Sequence, residues 1–352
     1  MFFVAYNMNY SLNESKALGD TIAQGGGDLW NQFLTISMIS AVYLSILSVV
    51  TTLANGVLLV ALYQDPFKVL RQPPTIFITG LALADFLTGV VVEPLFAYFY
   101  FKVYSNTITN EEYNKILKAA GILSSITMNV SFLTILFLSW IQLIAISFPL
   151  WHKEFITGRR VLACVCGIWI YSLLFSTLLL MGVPEKIFQK LDVFINLSLI
   201  HALILFAYIL LHVSYRRQVR QSLIAFSRCD QFAETRIANA VEYRRRKDQR
   251  YFAMVSLLLT TCLLVFTVPV TVMWYLTLYC VPGTYEAQVK ATIANIAVDT
   301  TLFLKFLIDP FIYAWRLPKF RQAVRAIFWR RMSSTVDVIT MVTIKFRTGS
   351  TG

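Results

Sequence analysis

The sequence predicts an all-α membrane protein: a seven-transmembrane helix bundle with an amphipathic interfacial helix after the last span. Three observations predict it. Of the 352 residues, 57% are hydrophobic and only 14% charged, whereas soluble domains carry about a quarter charged residues. The apolar residues gather into seven stretches, each as long as the roughly 20 residues that a helix needs to cross a hydrocarbon core about 30 Å thick. The basic residues between those stretches alternate between many and few, as they do when alternate loops face the cytoplasm.

The spans follow in order. Stretches 29–64, 119–152, 161–184, 193–215 and 251–285 contain no Asp, Glu, Lys or Arg. Stretch 72–101 holds Asp85 and Glu93, and stretch 291–315 holds Asp299, Lys305 and Asp309. The resulting division is an extracellular segment 1–33, a membrane domain 34–316, an interfacial helix 317–331 and a cytoplasmic tail 332–352. Within the domain the spans are expected at 34–63, 74–101, 118–147, 161–183, 193–215, 251–279 and 291–315. Barrel strands are excluded, because they are about ten residues of alternating polarity. With the N-terminus outside, the inner segments carry 23 of the 31 Lys and Arg, the outer segments 7, and Lys305 lies within a span. The net charge of +12 therefore faces anionic lipid rather than nucleic acid. Asn9 and Asn13 each begin a glycosylation sequon, usable on the lumenal side that this topology gives them.

The longest linker, 216–250, is basic, with Tyr243 to Lys247 reading Tyr-Arg-Arg-Arg-Lys. It reads as solvated helix extensions, some of which form a contact surface for a cytoplasmic partner. Past the seventh span, Phe320, Val324, Ile327 and Phe328 fall at helical spacing with Lys and Arg mostly on other faces, the pattern of a helix lying in the interface. No cysteine follows Cys280, so palmitoylation does not anchor it. Paired broken helices and internal repeats, the marks of a secondary transporter, are lacking. His152, His201 and His212 make no metal spacing with acids or cysteines, and no nucleophile–base motif is found. Neither an enzyme nor a cofactor is called for.

Short motifs then recur in successive spans: Ala54-Asn55-Gly56-Val57 in the first, Leu81-Ala82-Leu83-Ala84-Asp85 in the second, Ser131 and Ala145-Ile146-Ser147 in the third, and Trp169 in the fourth. Tyr208 follows in the fifth, Pro269 in the sixth, and Asp309-Pro310-Phe311-Ile312-Tyr313 in the seventh, with Phe320 beyond. In that order they resemble the rhodopsin-like G-protein-coupled receptors over about residues 34–330. The resemblance implies an extracellular ligand, a heterotrimeric G protein as cytoplasmic partner, a plasma-membrane location, and signalling by helix rearrangement. It assigns switch and coupling positions to Gln142, Tyr208, Thr267, Pro269, Pro310 and Tyr313.

The departures from the family pattern fall on function. Ile141-Gln142-Leu143 stands where the family has Asp-Arg-Tyr, and Phe266-Thr267-Val268-Pro269 where it has Cys-Trp-x-Pro. The fifth span lacks its usual Pro. The family's outer disulfide cannot form, because of five cysteines only Cys280 lies near the outer surface. These changes leave open a seven-helix protein that binds ligand or partner without conventional G-protein activation; a transporter or channel is a more distant alternative.

Charges at bilayer depth cost several kcal/mol unless paired or wet, so Asp85, Lys305 and Asp309 are expected to form a network with Asn55 and Ser131. Lys305 and Asp309 are i and i+4, on one helix face. In the resembling receptors the counterpart of Asp85 helps bind sodium; here the Lys305 ammonium is expected to replace that ion and bridge the two carboxylates. The alternative is a static salt bridge that ties the second and seventh spans together. Alignment puts the opsins' retinal lysine at Phe303, and two residues turn a helix by about 200°, so Lys305 is not a Schiff-base lysine. The resemblance also gives Ser124, Met128, Val270, Trp274, Asn295, Asp299 and Phe303 as the ligand-lining set. Ser124, where amine receptors carry Asp, argues against an aminergic receptor. Glu93 and Asp299 read either as a site for a cationic group or as helix-end acids reached by water, the latter favoured for Glu93.

Overall fold

The computed structural model describes residues 27–64, 73–228, 236–280, 283–316, 321–322 and 325. Asn9, Asn13, most of 317–331 and all of 332–352 lie outside them. Among the described residues, seven helices are long and apolar enough to cross a membrane: Gly27–Gln64, Pro73–Tyr104, Asn110–Ser147, Gly158–Thr177, Glu185–Arg220, Arg250–Tyr279 and Glu286–Tyr313. No strand occurs among the described residues. A short helix, Pro149–Phe155, joins the third span to the fourth.

The local signals for these helices are conventional. The third span opens on a capping box: Thr109 Oγ1 accepts the Glu112 amide at 3.2 Å and the Glu112 carboxylate accepts the Thr109 amide at 3.3 Å. Thr157 and Thr284 cap the fourth and seventh spans with a single bond, accepting the Arg160 and Ala287 amides. Such caps satisfy amides that have no intrahelical partner and contribute about 1 kcal/mol each. Within the spans most Ser and Thr hydroxyls return to a backbone carbonyl three or four residues earlier, as at Ser37, Thr88, Ser172 and Thr261, which keeps a polar side chain satisfied where no water is at hand.

Three spans depart from regular α-helix among the described residues. In the second, π-helix runs over Thr88–Val92 immediately before Glu93-Pro94. In the fifth, it runs over Asp192–Leu199, where Ser198 Oγ donates to the carbonyl five residues back at 2.8 Å. The seventh helix breaks at Phe303, between Tyr285–Leu302 and Leu304–Arg316. The sixth span belongs to a 44-residue helix, Arg236–Tyr279, with Pro269 inside it.

Small residues set the closest approaches. A Cβ on Gly89 would stand 2.8 Å from the Thr52 backbone nitrogen, and one on Gly80 would stand 2.8 Å from Val165. Glycine therefore lets the second span meet the first and fourth directly, as small residues do in membrane bundles. One large apolar cluster joins all seven spans around Phe77, Leu81, Ile135 and Leu259; another joins the first, second, third and seventh around Leu44, Phe96, Phe303 and Phe306. Ile46, Leu53, Leu174 and Phe194 point outward and exposed, which in a spanning bundle is the lipid-facing surface.

Candidate functional site

Two polar sites lie within the bundle. The deeper one is built on Lys305, whose side chain is fully buried. Its Nζ donates to Asp309 Oδ2 at 2.6 Å and to Ser131 Oγ at 2.5 Å, and Asp85 Oδ1 lies at 3.8 Å. The ammonium also stands 4.6 Å from the Phe306 ring centroid. Four of the five residues expected to form a network thus meet at one nitrogen, from the second, third and seventh spans. The geometry is unequal: Asp309 is in full contact, while neither oxygen of Asp85 has a hydrogen-bond partner among the described residues.

Asn55, the fifth, acts one step away. Pro310 has no amide to give the carbonyl four residues before it, which is that of Phe306. Asn55 Nδ2 donates to that carbonyl at 3.0 Å and to Thr51 O at 3.1 Å. The first span thereby supplies the donor that proline removed from the seventh. Tyr313, one turn on, is fully buried.

The second site is a cavity among the third, fifth, sixth and seventh spans, with about 660 Å³ of empty space including its open mouth. It lies toward the N-terminal part of the third span and the C-terminal part of the sixth, the end expected to face outside. Ser124, Met128, Val270, Trp274 and Asp299 line it; Asn295 and Phe303 do not. Asn295 instead donates to Thr277 at 3.1 Å. Phe303 sits at the helix break and packs on Phe96 and Phe306, at 5.8 and 6.0 Å between ring centroids. Glu93 is buried yet is not among the lining residues either.

The cavity wall includes residues that spacing and alignment did not single out. Asp192 and Asn196 come from the π-helical stretch of the fifth span, and Ser125 and Asn129 from the third. Asp192 Oδ1 accepts from Asn196 Nδ2 at 2.7 Å, and Asn196 Oδ1 accepts from the Tyr171 hydroxyl at 3.0 Å. At the floor, Thr267 Oγ1 meets His201 Nε2 at 2.7 Å, and the His201 ring packs edge-on against Phe132 at 5.1 Å. The third, fifth and sixth spans are thus joined beneath the cavity at the position where alignment expects the missing switch Trp.

At the opposite end, Gln142 is buried and its amide nitrogen has no hydrogen-bond partner among the described residues. Contact between the third and sixth spans is carried by hydroxyls instead: Ser139 Oγ lies 2.8 Å from Ser256 Oγ and 3.2 Å from Thr260 Oγ1. Tyr208 stacks on His212. The four described cysteines, Cys164, Cys166, Cys262 and Cys280, are free thiols.

Residues 54–313 match the family described as 7 transmembrane receptor (rhodopsin family). The chain belongs to that family, the rhodopsin-like G-protein-coupled receptors. Among curated relatives of this receptor, galanin receptor 2a of Danio rerio is 23% identical over 306 residues, covering 83% of this chain and 78% of that protein. Melanopsin-B of Gadus morhua is 30% identical over 149 residues, 41% of this chain and 23% of that protein. Cannabinoid receptor 2 of Mus musculus is 28% identical over 142 residues, 40% of this chain and 39% of that protein. The crystal structure of squid rhodopsin superposes with a TM-score of 0.68 at 18% identity, covering 86% of this chain and 87% of the other, which shows the shared fold. The relatives are named for unlike stimuli, so the receptor's ligand has to be sought in its own cavity.

Proposed function

We propose that the receptor sits in the plasma membrane with its N-terminus outside, takes an extracellular ligand into the cavity, and passes the signal to a cytoplasmic heterotrimeric G protein. One observation carries this reading: the cavity and the basic segments lie at opposite ends of the bundle. The cavity is lined from residues 121–132, 267–274 and 299–302, while Lys153, Arg159, Arg216 and Arg250 belong to segments at the other end. By the positive-inside rule the basic end is cytoplasmic, which leaves the cavity open to extracellular ligand.

A second reading has its own support. Gln142 has no charge to offer where the family carries Arg, which favours a protein that binds ligand without conventional G-protein activation. The discriminating experiment expresses the full chain and a Gln142→Arg variant with a panel of G-protein activation sensors and measures surface expression of both. Signal from the unaltered chain supports coupling. Silence from both, with both at the surface, overturns it.

The buried cluster fits a role as a tethered cation. Two facing carboxylates at bilayer depth need a positive charge, and Lys305 supplies it from within the chain, so no free sodium ion is required there. Support comes from the 2.5–3.8 Å shell of Ser131, Asp309 and Asp85 around one nitrogen. The outcome that would sink this role is a rise in thermal stability of the unaltered receptor when sodium replaces a bulky organic cation.

A further inference from the structure

We propose that the short helix Pro149–Phe155 and the first turn of the fourth span form a docking site for anionic phospholipid of the inner leaflet. Trp151 and Phe155 seat among the lipids, and Lys153 and Arg159 meet the headgroup charge. The inference rests on the reading above only in taking the basic end of the bundle as the cytoplasmic one.

The first observation is an apolar surface that the protein leaves uncovered. The short helix buries none of its residues. Leu150 is 84% exposed, Phe148 just before the helix is 64% exposed, and Trp151 and Phe155 are exposed beside them. Trp151 and Phe155 are i and i+4, and their rings stack at 4.7 Å between centroids. A contiguous exposed patch of large apolar side chains marks an interaction surface.

Depth indicates what covers it. The fourth span, Gly158–Thr177, has 20 residues, which makes about 30 Å of helix, about the thickness of the hydrocarbon core. With no length to spare, its first turn stands at the boundary between acyl chains and headgroups. Arg160 of that turn donates from its guanidinium to the Phe155 carbonyl at 2.9 Å and lies 5.6 Å from the Phe155 ring centroid. The stacked aromatic pair is thereby tied to headgroup level, where tryptophan is enriched in membrane proteins. A patch held there is placed against lipid rather than clear of the membrane.

The patch also continues the lipid-facing surface. Along the fourth span Arg159, Leu162, Cys166 and Ile170 follow at i, i+3, i+7 and i+11, and all four are exposed. One stripe thus runs from apolar residues at acyl-chain depth up to an arginine at the headgroups.

Charge selects the lipid. From Phe148 to Arg160 the chain carries Lys153, Arg159 and Arg160 against Glu154 as the single acid. Lys153 and Arg159 are exposed. A neutral leaflet would cover the aromatic rings and leave these cations without a counter-charge. An anionic one supplies it, with an attraction of about fivefold for each basic residue near the surface. Lys and Arg suit the place, because their apolar stems lie along the patch while their heads reach the polar layer.

The test uses the full chain in phosphatidylcholine nanodiscs doped, at equal mole fraction, with either phosphatidylserine or phosphatidylcholine brominated on its acyl chains. Bromine quenches tryptophan fluorescence on contact, and the Trp151 signal is the difference between the unaltered chain and Trp151→Phe. Both brominated lipids are expected to quench it, phosphatidylserine about fivefold more effectively. Lys153→Gln combined with Arg159→Gln should make the two lipids equal. Arg216→Gln combined with Arg217→Gln removes the same charge at the fifth span and should leave the preference intact. All four positions are exposed, and the melting temperature of each variant checks that it folds. A Trp151 signal that neither lipid quenches overturns the proposal and gives the patch to a cytoplasmic protein instead. Equal quenching in the unaltered chain, survival of the preference in the first pair of substitutions, or its loss in the second also overturns it. Nanodiscs present one lipid composition at both faces, so the outcome does not depend on which end is cytoplasmic. Lipid preference at Trp151 with silent G-protein sensors counts against coupling alone, and signal without the preference counts against this proposal alone.

Discussion

The Lys305 cluster and the cavity both place two aspartates inside the bundle, the first around a lysine ammonium and the second on a wall whose lining residues include no Lys, Arg or His. At the cluster, Asp85, Asp309 and Ser131 surround a fully buried ammonium. At the cavity, Asp192 and Asp299 share a wall of hydroxyls, amides and aromatic rings. A buried carboxylate is costly unless it is paired, and Lys305 supplies that pairing to Asp309 and, at longer range, to Asp85. The first arrangement is a fastener, and the second is the site proposed above for the ligand.

The largest expected effect removes the fastener. Lys305→Ala leaves two carboxylates facing each other at depth, and breaking a buried pair in this way costs about 3–5 kcal/mol. Thermal unfolding in detergent should show that loss, and sodium should restore part of it in the variant while leaving the unaltered receptor unmoved. Asp309→Asn should be nearly as damaging and Asp85→Asn clearly less so, because Asp309 is at 2.6 Å and Asp85 at 3.8 Å from the ammonium. Equal losses at the two positions would remove the asymmetry.

Asn55→Leu comes next. It strips the Phe306 carbonyl of the donor that compensates for Pro310, and an unsatisfied buried acceptor costs about 1–3 kcal/mol. Gly80→Ala should cost a similar amount, since overpacking runs about 1–3 kcal/mol and Val165 stands 2.8 Å from the new methyl. The smallest effect on stability belongs to the cavity: Asp192→Asn should change unfolding by less than about 1 kcal/mol, a typical single hydrogen bond. A large loss there would make Asp192 structural and erase the contrast between the two sites.

Much of this was legible in the sequence, and the remainder was hidden for identifiable reasons. Seven spans follow from stretch length and charge alone. The Lys305–Asp309 contact follows from i, i+4 spacing, whereas the approach of Asp85 and Ser131 depends on how separate helices pack and came from family resemblance. Asp192 was missed because a search for uncharged stretches ends at a charge, so the fifth span was expected to begin at 193, whereas the helix starts at Glu185. The π-helical stretches at Thr88–Val92 and Asp192–Leu199 shift which side chains face inward, and no residue pattern announces them. Asn295 and Phe303 were aligned to the cavity as though the seventh helix were continuous. The break at Phe303 accompanies a ring turned toward Phe96.

The sixth span is the upper portion of one helix that runs unbroken from Arg236 to Tyr279. From Pro269 to its N-terminal end the helix extends for about 50 Å at about 1.5 Å per residue. A pivot at the proline would make that rod a lever arm, and a swing of about 10° would carry its tip through about 9 Å on the same geometry. Thr267, two residues from the pivot and hydrogen-bonded to His201, sits at the short end of that arm, where a displacement too small to disturb the cavity becomes a large stroke at the far end.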